Sequence, residues 1–191
     1  ERAAAGETGG SATLRRWYVY GVSAGALLFL VHSTARLIEL LWRQALAPGS
    51  ADLVNVVAAP VAAAPIALGV WVFHWRWSNQ SATAEDDRRS VLRTVYLLTV
   101  LGAAVAVTLT QVSQVLYYAL SRLLGVERPG GVNEPLPLLL GGPVAFGIVY
   151  AIAWIYHRRI LTHETAAYPD SPRRLGVRRL YRYLVALVSI A

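Results

Sequence analysis

Two stretches of the chain share one pattern: PVAAAPIALGVWVFHWR at residues 60–76 and PVAFGIVYAIAWIYHRR at residues 143–159. Each begins with Pro-Val-Ala, continues through apolar residues and reaches a tryptophan eleven positions after the proline. An aromatic residue, a histidine and an arginine then follow at the same spacing. Apolar runs that end in aromatic and basic residues are typical of helices that cross a bilayer and end at its surface. Both stretches therefore predict membrane-spanning helices.

Four apolar segments are long enough to cross a bilayer, which takes about 20 residues of helix. They are Trp17–Trp42, Leu53–Trp75, Val91–Leu120 and Pro135–Tyr156. A fifth apolar run begins near Leu180 and continues to Ala191, which is too short for a full span. Turn-forming segments rich in Pro, Gly, Ser and Asn separate the spans. The predicted fold is all-α, an integral membrane helical bundle with four spans and the start of a fifth.

The composition supports a membrane protein. Of the 191 residues, 55% are hydrophobic and 15% are charged, and the mean hydropathy is +0.44, whereas soluble domains average about 25% charged residues. The absence of Cys excludes disulfides, zinc–thiolate sites and cysteine nucleophiles. All 18 basic residues are arginines and the net charge is +7. A basic balance also occurs in nucleic-acid-binding proteins, but apolar runs between the arginines favour basic membrane loops, and we expect no nucleic-acid partner.

The arginines are distributed unevenly between the two sides of the spans. Residues 1–16, 76–93 and 157–182 contain 14 of them, and the opposite loops at 43–52 and 121–134 contain 3. Cytoplasmic loops carry the excess of basic residues in membrane proteins. We therefore expect a multi-pass protein of the cell (plasma) membrane with a cytoplasmic N-terminus. The basic side also predicts contacts with anionic lipid headgroups.

An internal repeat underlies the spans. The two stretches quoted first begin at Pro60 and Pro143, and the odd-numbered spans share the start Arg-x-x-Tyr at positions 15–18, 93–96 and 178–181. Two registers of nearly equal period predict tandem parallel copies of a two-helix hairpin. The predicted divisions are a flexible N-terminal arm (1–14), a first hairpin (15–80), a second hairpin (88–163) and a truncated third copy (178–191). Because the chain has no Met and stops within an apolar run, we expect a segment of a longer polypeptide.

The starts of the odd-numbered spans resemble a known family. The run RRLYRYLV at residues 178–185 and its counterpart RRWYVY at residues 15–20 resemble an uncharacterised bacterial multi-pass membrane domain family, whose spans open with a similar Arg-Arg-Leu-Tyr-x-Tyr motif. The start at residues 93–98 departs from this pattern, because RTVYLL lacks the second aromatic residue. The resemblance implies a membrane architecture and carries no known activity.

A candidate intramembrane polar face lies on the first and third spans. His32, Arg36 and Glu39 follow a spacing of four and three residues, which places them on one side of a helix. Gln111 and Gln114 occupy a similar face of the third span. One interpretation is an ion or substrate path between the two helices. The other is that Arg36 and Glu39 lie near the outer membrane surface, where arginine can reach water, while His32 bonds another helix.

Two histidines occupy matched positions in the repeat. His74 with Arg76 and His157 with Arg159 end the quoted stretches. We expect these four residues to cap helix C-termini or contact lipid at the membrane surface. The alternative is ligation of a haem by both imidazoles. We predict no catalytic residue, no metal site and no cofactor.

Two further patterns have structural explanations. The sequence GVSAG at residues 21–25 matches the nucleophile pattern GxSxG, but it falls inside a predicted helix, where GxxxG favours close helix packing. Pro60, Pro65 and Pro143 lie within spans and are expected to kink them. Such kinks either open a cavity or are ordinary bundle geometry.

Three functional hypotheses follow from these patterns. The leading one is a non-enzymatic multi-pass membrane protein that acts as a scaffold or as a subunit of a larger membrane complex, with other membrane subunits or further copies of itself as partners. The alternative is a transporter or channel with a polar path between the first and third spans. The third is a haem-binding redox membrane protein.

Overall fold

A computed structural model of the protein describes residues 9–49, 53–80, 88, 90–167 and 172–190. The helices are α1 (Gly9–Leu46), α2 (Leu53–Gln80), α3 (Val91–Leu123), α4 (Leu136–Ala167) and α5 (Pro172–Ile190). A short 3-10 turn at Pro129–Gly131 precedes α4. The described residues contain no strand. The all-α prediction is confirmed.

Helices α1 to α4 are long and apolar enough to cross a membrane. The shortest, α2, has 28 residues and therefore a length of about 42 Å, which exceeds the bilayer core of about 30 Å. The helices extend past the predicted spans. In particular, α1 includes residues 9–14, which the sequence assigned to a flexible arm. Residues 1–8 of that arm lie outside the described residues.

Local sequence explains where α3 begins and where the chain turns back. Ser90 is the N-cap, and its Oγ accepts a hydrogen bond from the backbone N–H of Arg93 at 3.2 Å. After α3, Gly125 adopts a φ of +77°, and Gly130 and Gly131 adopt φ values of +65° and +79°. Glycine enters this left-handed region without a steric penalty. The chain can thus reverse direction between α3 and α4 within a short loop.

The most extensive helix contacts are those of α3 with α4, of α1 with α2 and of α1 with α4, while α1 also contacts α3 and α5 packs on α3. Seven buried residues from α1, α3 and α4 form the central cluster: Leu27, Val31, Ala35, Ala104, Val149, Tyr150 and Ala153. A second cluster contains Tyr20, Trp75, Tyr96 and Leu97. Of the four long helices, α2 is the least buried. The space between α1, α3 and α4 is therefore filled by apolar side chains half-way along the bundle.

No helix of the described chain packs closely on the GxxxG motif of α1. Gly21 and Gly25 are exposed, and a Cβ at either position would have no neighbour within 4 Å in the described chain. Ser23, which lies between them, is fully buried. Close packing thus involves the serine side of the helix rather than the glycine side. Helices α2 and α4 continue through their three prolines.

Candidate functional site

A buried ion pair joins α3 to α4 at the end of the bundle where α3 begins, called here the Arg93 end. Arg93 is 1% exposed, and Glu164 is also buried. The guanidinium Nε donates to both carboxylate oxygens of Glu164, at 2.9 and 3.0 Å, and Nη2 also donates to this carboxylate. Such a fork-like contact combines charge attraction with a fixed geometry. The pair therefore holds the start of α3 against the end of α4.

The remaining donors of Arg93 extend the network to α2. Nη1 donates to Ser78 Oγ at 3.2 Å, and Nη2 donates to Asn79 Oδ1 at 3.0 Å. The guanidinium carbon lies 4.8 Å from the ring centroid of Trp75, in a cation–π contact. Ser78 Oγ is also hydrogen-bonded to the hydroxyl of Tyr20, at 3.1 Å. One side chain of α3 thus connects all four long helices.

Sequence reasoning did not predict this ion pair. It identified Arg93 as the start of a repeated motif and as part of a basic flank, and it left Glu164 unassigned. One signal was available, because Glu164 is the single acidic residue of α4. A lone carboxylate near the end of an otherwise apolar and basic helix needs a partner when it is buried.

Two tyrosine–histidine pairs with the same bonding pattern lie near the Arg93 end. His157 Nδ1 lies 2.8 Å from the carbonyl oxygen of Ala153, so Nδ1 carries the proton and Nε2 accepts from the hydroxyl of Tyr96, at 3.3 Å. His74 Nδ1 donates in the same way to the carbonyl of residue 70, at 2.8 Å, and its Nε2 lies 3.5 Å from the hydroxyl of Tyr18. Tyr96 is 4% exposed and Tyr18 is 55% exposed.

These histidines do not lie at helix C-termini, and their contact with lipid stays a prediction. Helix α2 continues to Gln80 and α4 continues to Ala167, so neither histidine lies at a C-terminus. Each binds a carbonyl one turn earlier in its own helix, and His157 is 1% exposed. The Nδ1 bonds leave Nε2 of each ring as the possible metal ligand, and a tyrosine hydroxyl lies beside each Nε2, so haem ligation would require both tyrosines to move. Arg76 and Arg159 are exposed at the same end.

A cavity of about 460 Å³ opens at the Arg93 end. Its wall includes three guanidinium groups, one imidazole and one carboxylate, which belong to Arg88, Arg93, Arg159, His163 and Glu164. Trp75 Nε1 donates to the hydroxyl of Tyr156 across this wall, at 3.0 Å. Arg159 has no ion-pair partner within the part of the chain that is described. The excess of positive charge suits a phosphate or carboxylate group.

A second cavity, of about 380 Å³, lies between α1, α3 and α4 at the opposite end, called here the Glu39 end. Glu39, Gln111 and Gln114, three of the five residues of the predicted polar face, line it. Arg36 Nη1 donates to Glu39 at 2.6 Å, and its side chain is 43% exposed. His32 is not among the lining residues, and its ring packs against Phe146 with centroids 5.2 Å apart.

Ion pairing also reinforces the Glu39 end. Arg43 donates through Nη1 and Nη2 to the two carboxylate oxygens of Glu134, at 3.1 and 2.9 Å. Glu134 precedes α4, so this contact fixes the entry to that helix against α1. Sequence reasoning placed Arg43 in an outer loop without naming its partner.

Comparison with known proteins identifies a family. The family model described as a domain of unknown function, DUF5671, matches residues 16–148, which is more than half of the chain. The chain belongs to the DUF5671 family. This finding confirms the expected membership of an uncharacterised domain family. No curated protein and no solved structure matches the chain.

The DUF5671 match covers α1 from residue 16 onward, α2, α3 and the first part of α4. It includes the residues that line the Glu39 end and also Tyr18, His74 and Arg93, whereas Glu164 and His157 lie beyond it. Arg93 and Gln114 lie near opposite ends of one continuous helix, about 32 Å apart along its axis. The two cavities are therefore at opposite ends of the DUF5671 bundle, with the apolar central cluster between them.

Proposed function

We propose that this DUF5671 chain is a non-enzymatic multi-pass membrane protein that serves as a structural subunit of a larger membrane assembly. The observation that carries this proposal is the apolar central cluster, because Val31, Ala35 and Val149 pack between the two cavities and leave them separate. The ionisable groups inside the bundle are engaged with one another, as in the Arg93–Glu164 and Tyr96–His157 contacts. Groups engaged in this way hold helices together.

The proposed setting is the cell membrane, with the N-terminus in the cytoplasm. Four helices of sufficient length support the membrane setting. The ratio of 14 to 3 arginines between the two sides supports the orientation. The Arg93 end then faces the cytoplasm. Its exposed tryptophans Trp17 and Trp77 suit the level of the lipid headgroups. The basic cavity, with Arg88 and Arg159 in its wall, would accept the phosphate of an anionic lipid.

The proposed architecture is a duplicated hairpin, in which α1–α2 and α3–α4 are equivalent. The two tyrosine–histidine pairs support it, because the spacing from Tyr18 to Tyr96 is nearly the same as the spacing from His74 to His157. In each pair the histidine also donates to the carbonyl one turn earlier in its helix. A shared ancestor of the hairpins explains why both bonds occur twice. All hairpins would cross the membrane in the same direction.

Mild-detergent purification of the tagged full chain tests the structural role. We expect it to elute as an assembly of fixed stoichiometry, either with other membrane proteins or as several copies, when its mass is measured by light scattering. A monodisperse monomer that moves solutes across vesicle membranes would contradict the proposal. The variant Gln44→Leu, which leaves both cavities unchanged, provides a control for handling and folding.

A second candidate is a transporter or channel, and the cavity at the Glu39 end favours it. Glu39, Gln111 and Gln114 present a carboxylate and two amides to one space. Flux into proteoliposomes distinguishes the two functions, with the double variant Gln111→Leu/Gln114→Leu compared with Gln44→Leu. Flux that is lost in the double variant and kept in the control supports transport. No flux in any sample, including wild type, supports the structural role.

A further inference from the structure

The side chains that offer acceptor oxygens to the cavity at the Arg93 end already accept hydrogen bonds. Both carboxylate oxygens of Glu164 accept from Arg93, and Asn79 Oδ1 accepts from the same guanidinium at 3.0 Å. The backbone carbonyl of Asn79 accepts from Arg88 Nη2 at 3.2 Å. A ligand that brought donors to these oxygens would compete with bonds that hold the helices together. The cavity is therefore poorly suited to a cation or to a ligand rich in donors.

Donors, in contrast, are left over along one side of α4. Tyr156, Arg159 and His163 follow a spacing of three and four residues, which places them on one side of the helix, and all three line the cavity. The hydroxyl of Tyr156 accepts from Trp75 Nε1 at 3.0 Å and keeps its own proton to donate. Within the described chain, Arg159 and His163 make no hydrogen bond or ion pair. A ligand that fits this wall must supply acceptors.

The wall also carries a surplus of positive charge. Arg93 and Glu164 neutralise each other, whereas Arg88 and Arg159 have no carboxylate partner among the residues that the structure describes. A phosphate monoester has three acceptor oxygens and a charge of about −1.5 to −2 at pH 7. A phosphodiester or a carboxylate carries one negative charge. The two remaining guanidinium groups therefore match a monoester better than either of these.

The size of the cavity leaves room for more than a phosphate. Its volume of about 460 Å³ lies within the range of about 300–1,000 Å³ that is usual for small-molecule sites. Ile160 and the rings of Trp75 and Tyr156 add apolar surface to its wall. The cavity can thus hold a phosphate together with the group that is esterified to it.

We infer that this cavity binds a phosphate monoester, with Arg88, Arg159 and the Tyr156 hydroxyl as donors to its oxygens. The inference deepens the lipid contact of the proposed function and rests on its membrane setting. The same phosphate group occurs on a lipid headgroup and on soluble esters, so the experiment includes both sources.

Native mass spectrometry of the tagged full chain, released from neutral detergent, measures this binding. The probes are phosphatidic acid, phosphatidylglycerol with the same acyl chains, and glycerol 3-phosphate. We expect a monoester to bind to the chain at concentrations at which little phosphatidylglycerol is bound. Binding of phosphatidic acid without glycerol 3-phosphate identifies the lipid as the source, and the reverse identifies a soluble ester.

Arg159→Gln and Arg158→Gln are the matched test and control. Both remove one positive charge from an exposed, adjacent position of α4, but the Arg158 guanidinium carbon lies 4.8 Å from the ring centroid of Trp154 and does not line the cavity. Arg159→Gln should weaken monoester binding by about tenfold, and Arg158→Gln by about twofold or less. Tyr156→Phe keeps the net charge and should weaken binding by about threefold. Thermal unfolding checks that all three variants fold.

Equal weakening by the two arginine variants would overturn the inference, because attraction to a basic surface would then explain the binding. Equal binding of phosphatidylglycerol and phosphatidic acid would also overturn it, and so would the absence of binding by both monoesters. The structural role fails separately. An assembly of fixed stoichiometry that binds no monoester overturns the site alone, whereas a monomer that transports solutes and binds a monoester overturns the structural role alone.

Discussion

The two tyrosine–histidine pairs have the same bonds in different surroundings. Tyr18 and His74 lie at the edge of the bundle, where Tyr18 is largely exposed. Tyr96 and His157 are buried between Trp71 and Trp75. The difference follows from packing, because α2 is the least buried of the four long helices, whereas α4 contacts both α1 and α3. Similar local sequences thus contribute differently to stability, according to where packing places them.

The largest expected effect comes from breaking the ion pair beside the buried tyrosine–histidine pair. Arg93→Ala leaves the Glu164 carboxylate buried without its counter-charge. Removal of one partner from a buried pair costs about 3–5 kcal/mol. We expect a loss of this size in the free energy of unfolding, measured by denaturant titration in detergent micelles.

Arg36→Ala is the control for this prediction. Its ion pair with Glu39 is partly exposed, and such pairs contribute about 1 kcal/mol or less. The double variant Arg93→Ala/Glu164→Ala should lose less stability than the two single variants together, because the unpaired charge is gone. Equal losses of stability in Arg36→Ala and Arg93→Ala would show that burial does not strengthen the Arg93–Glu164 pair.

The next effect concerns the small residues before Pro-Val-Ala. Gly141→Val forces side-chain atoms into the indole of Trp42, and overpacking of this kind costs about 1–3 kcal/mol. The equivalent change Ala58→Val falls on an exposed surface and should alter the stability of a single chain by about 0.5 kcal/mol or less. Thermal unfolding in detergent compares the two. A similar loss in both variants would mean that α2 and α4 are packed alike.

The smallest effect isolates the tyrosine hydroxyls. Tyr96→Phe removes the donor to His157 and leaves a buried ring nitrogen without a partner, which costs about 1–2 kcal/mol. Tyr18→Phe removes a long, part-buried contact of 3.5 Å to His74 from a tyrosine that is 55% exposed, and its effect should be about 0.5 kcal/mol or less. Unfolding titrations of both variants under one condition measure the difference. If Tyr18→Phe were the more damaging, the edge pair would be the one that stabilises the fold.

Hydropathy and length were sufficient to predict the helices, because an apolar run of this length has few other stable states. Contacts between residues close in the sequence could also be predicted from their spacing, as for Arg36 and Glu39, which are three residues apart. Arg93 and Glu164 are 71 residues apart, and their contact depends on the packing of α3 against α4. The spacing of residues along the sequence does not predict that packing. The GxxxG motif does not tell which side of α1 is covered within the chain, where Ser23 is buried and the two glycines are exposed.

The separation between Arg93 and Glu164 has a consequence for synthesis. During synthesis, Arg93 emerges from the ribosome 71 residues before Glu164, whose carboxylate neutralises it. Throughout that interval the third helix carries a guanidinium without its final counter-ion, and an unpaired charge of this kind is costly to bury. The bundle can close only after the last turns of the fourth helix have been synthesised. Chains that end before residue 164 are therefore expected to assemble poorly and to be degraded by membrane proteases.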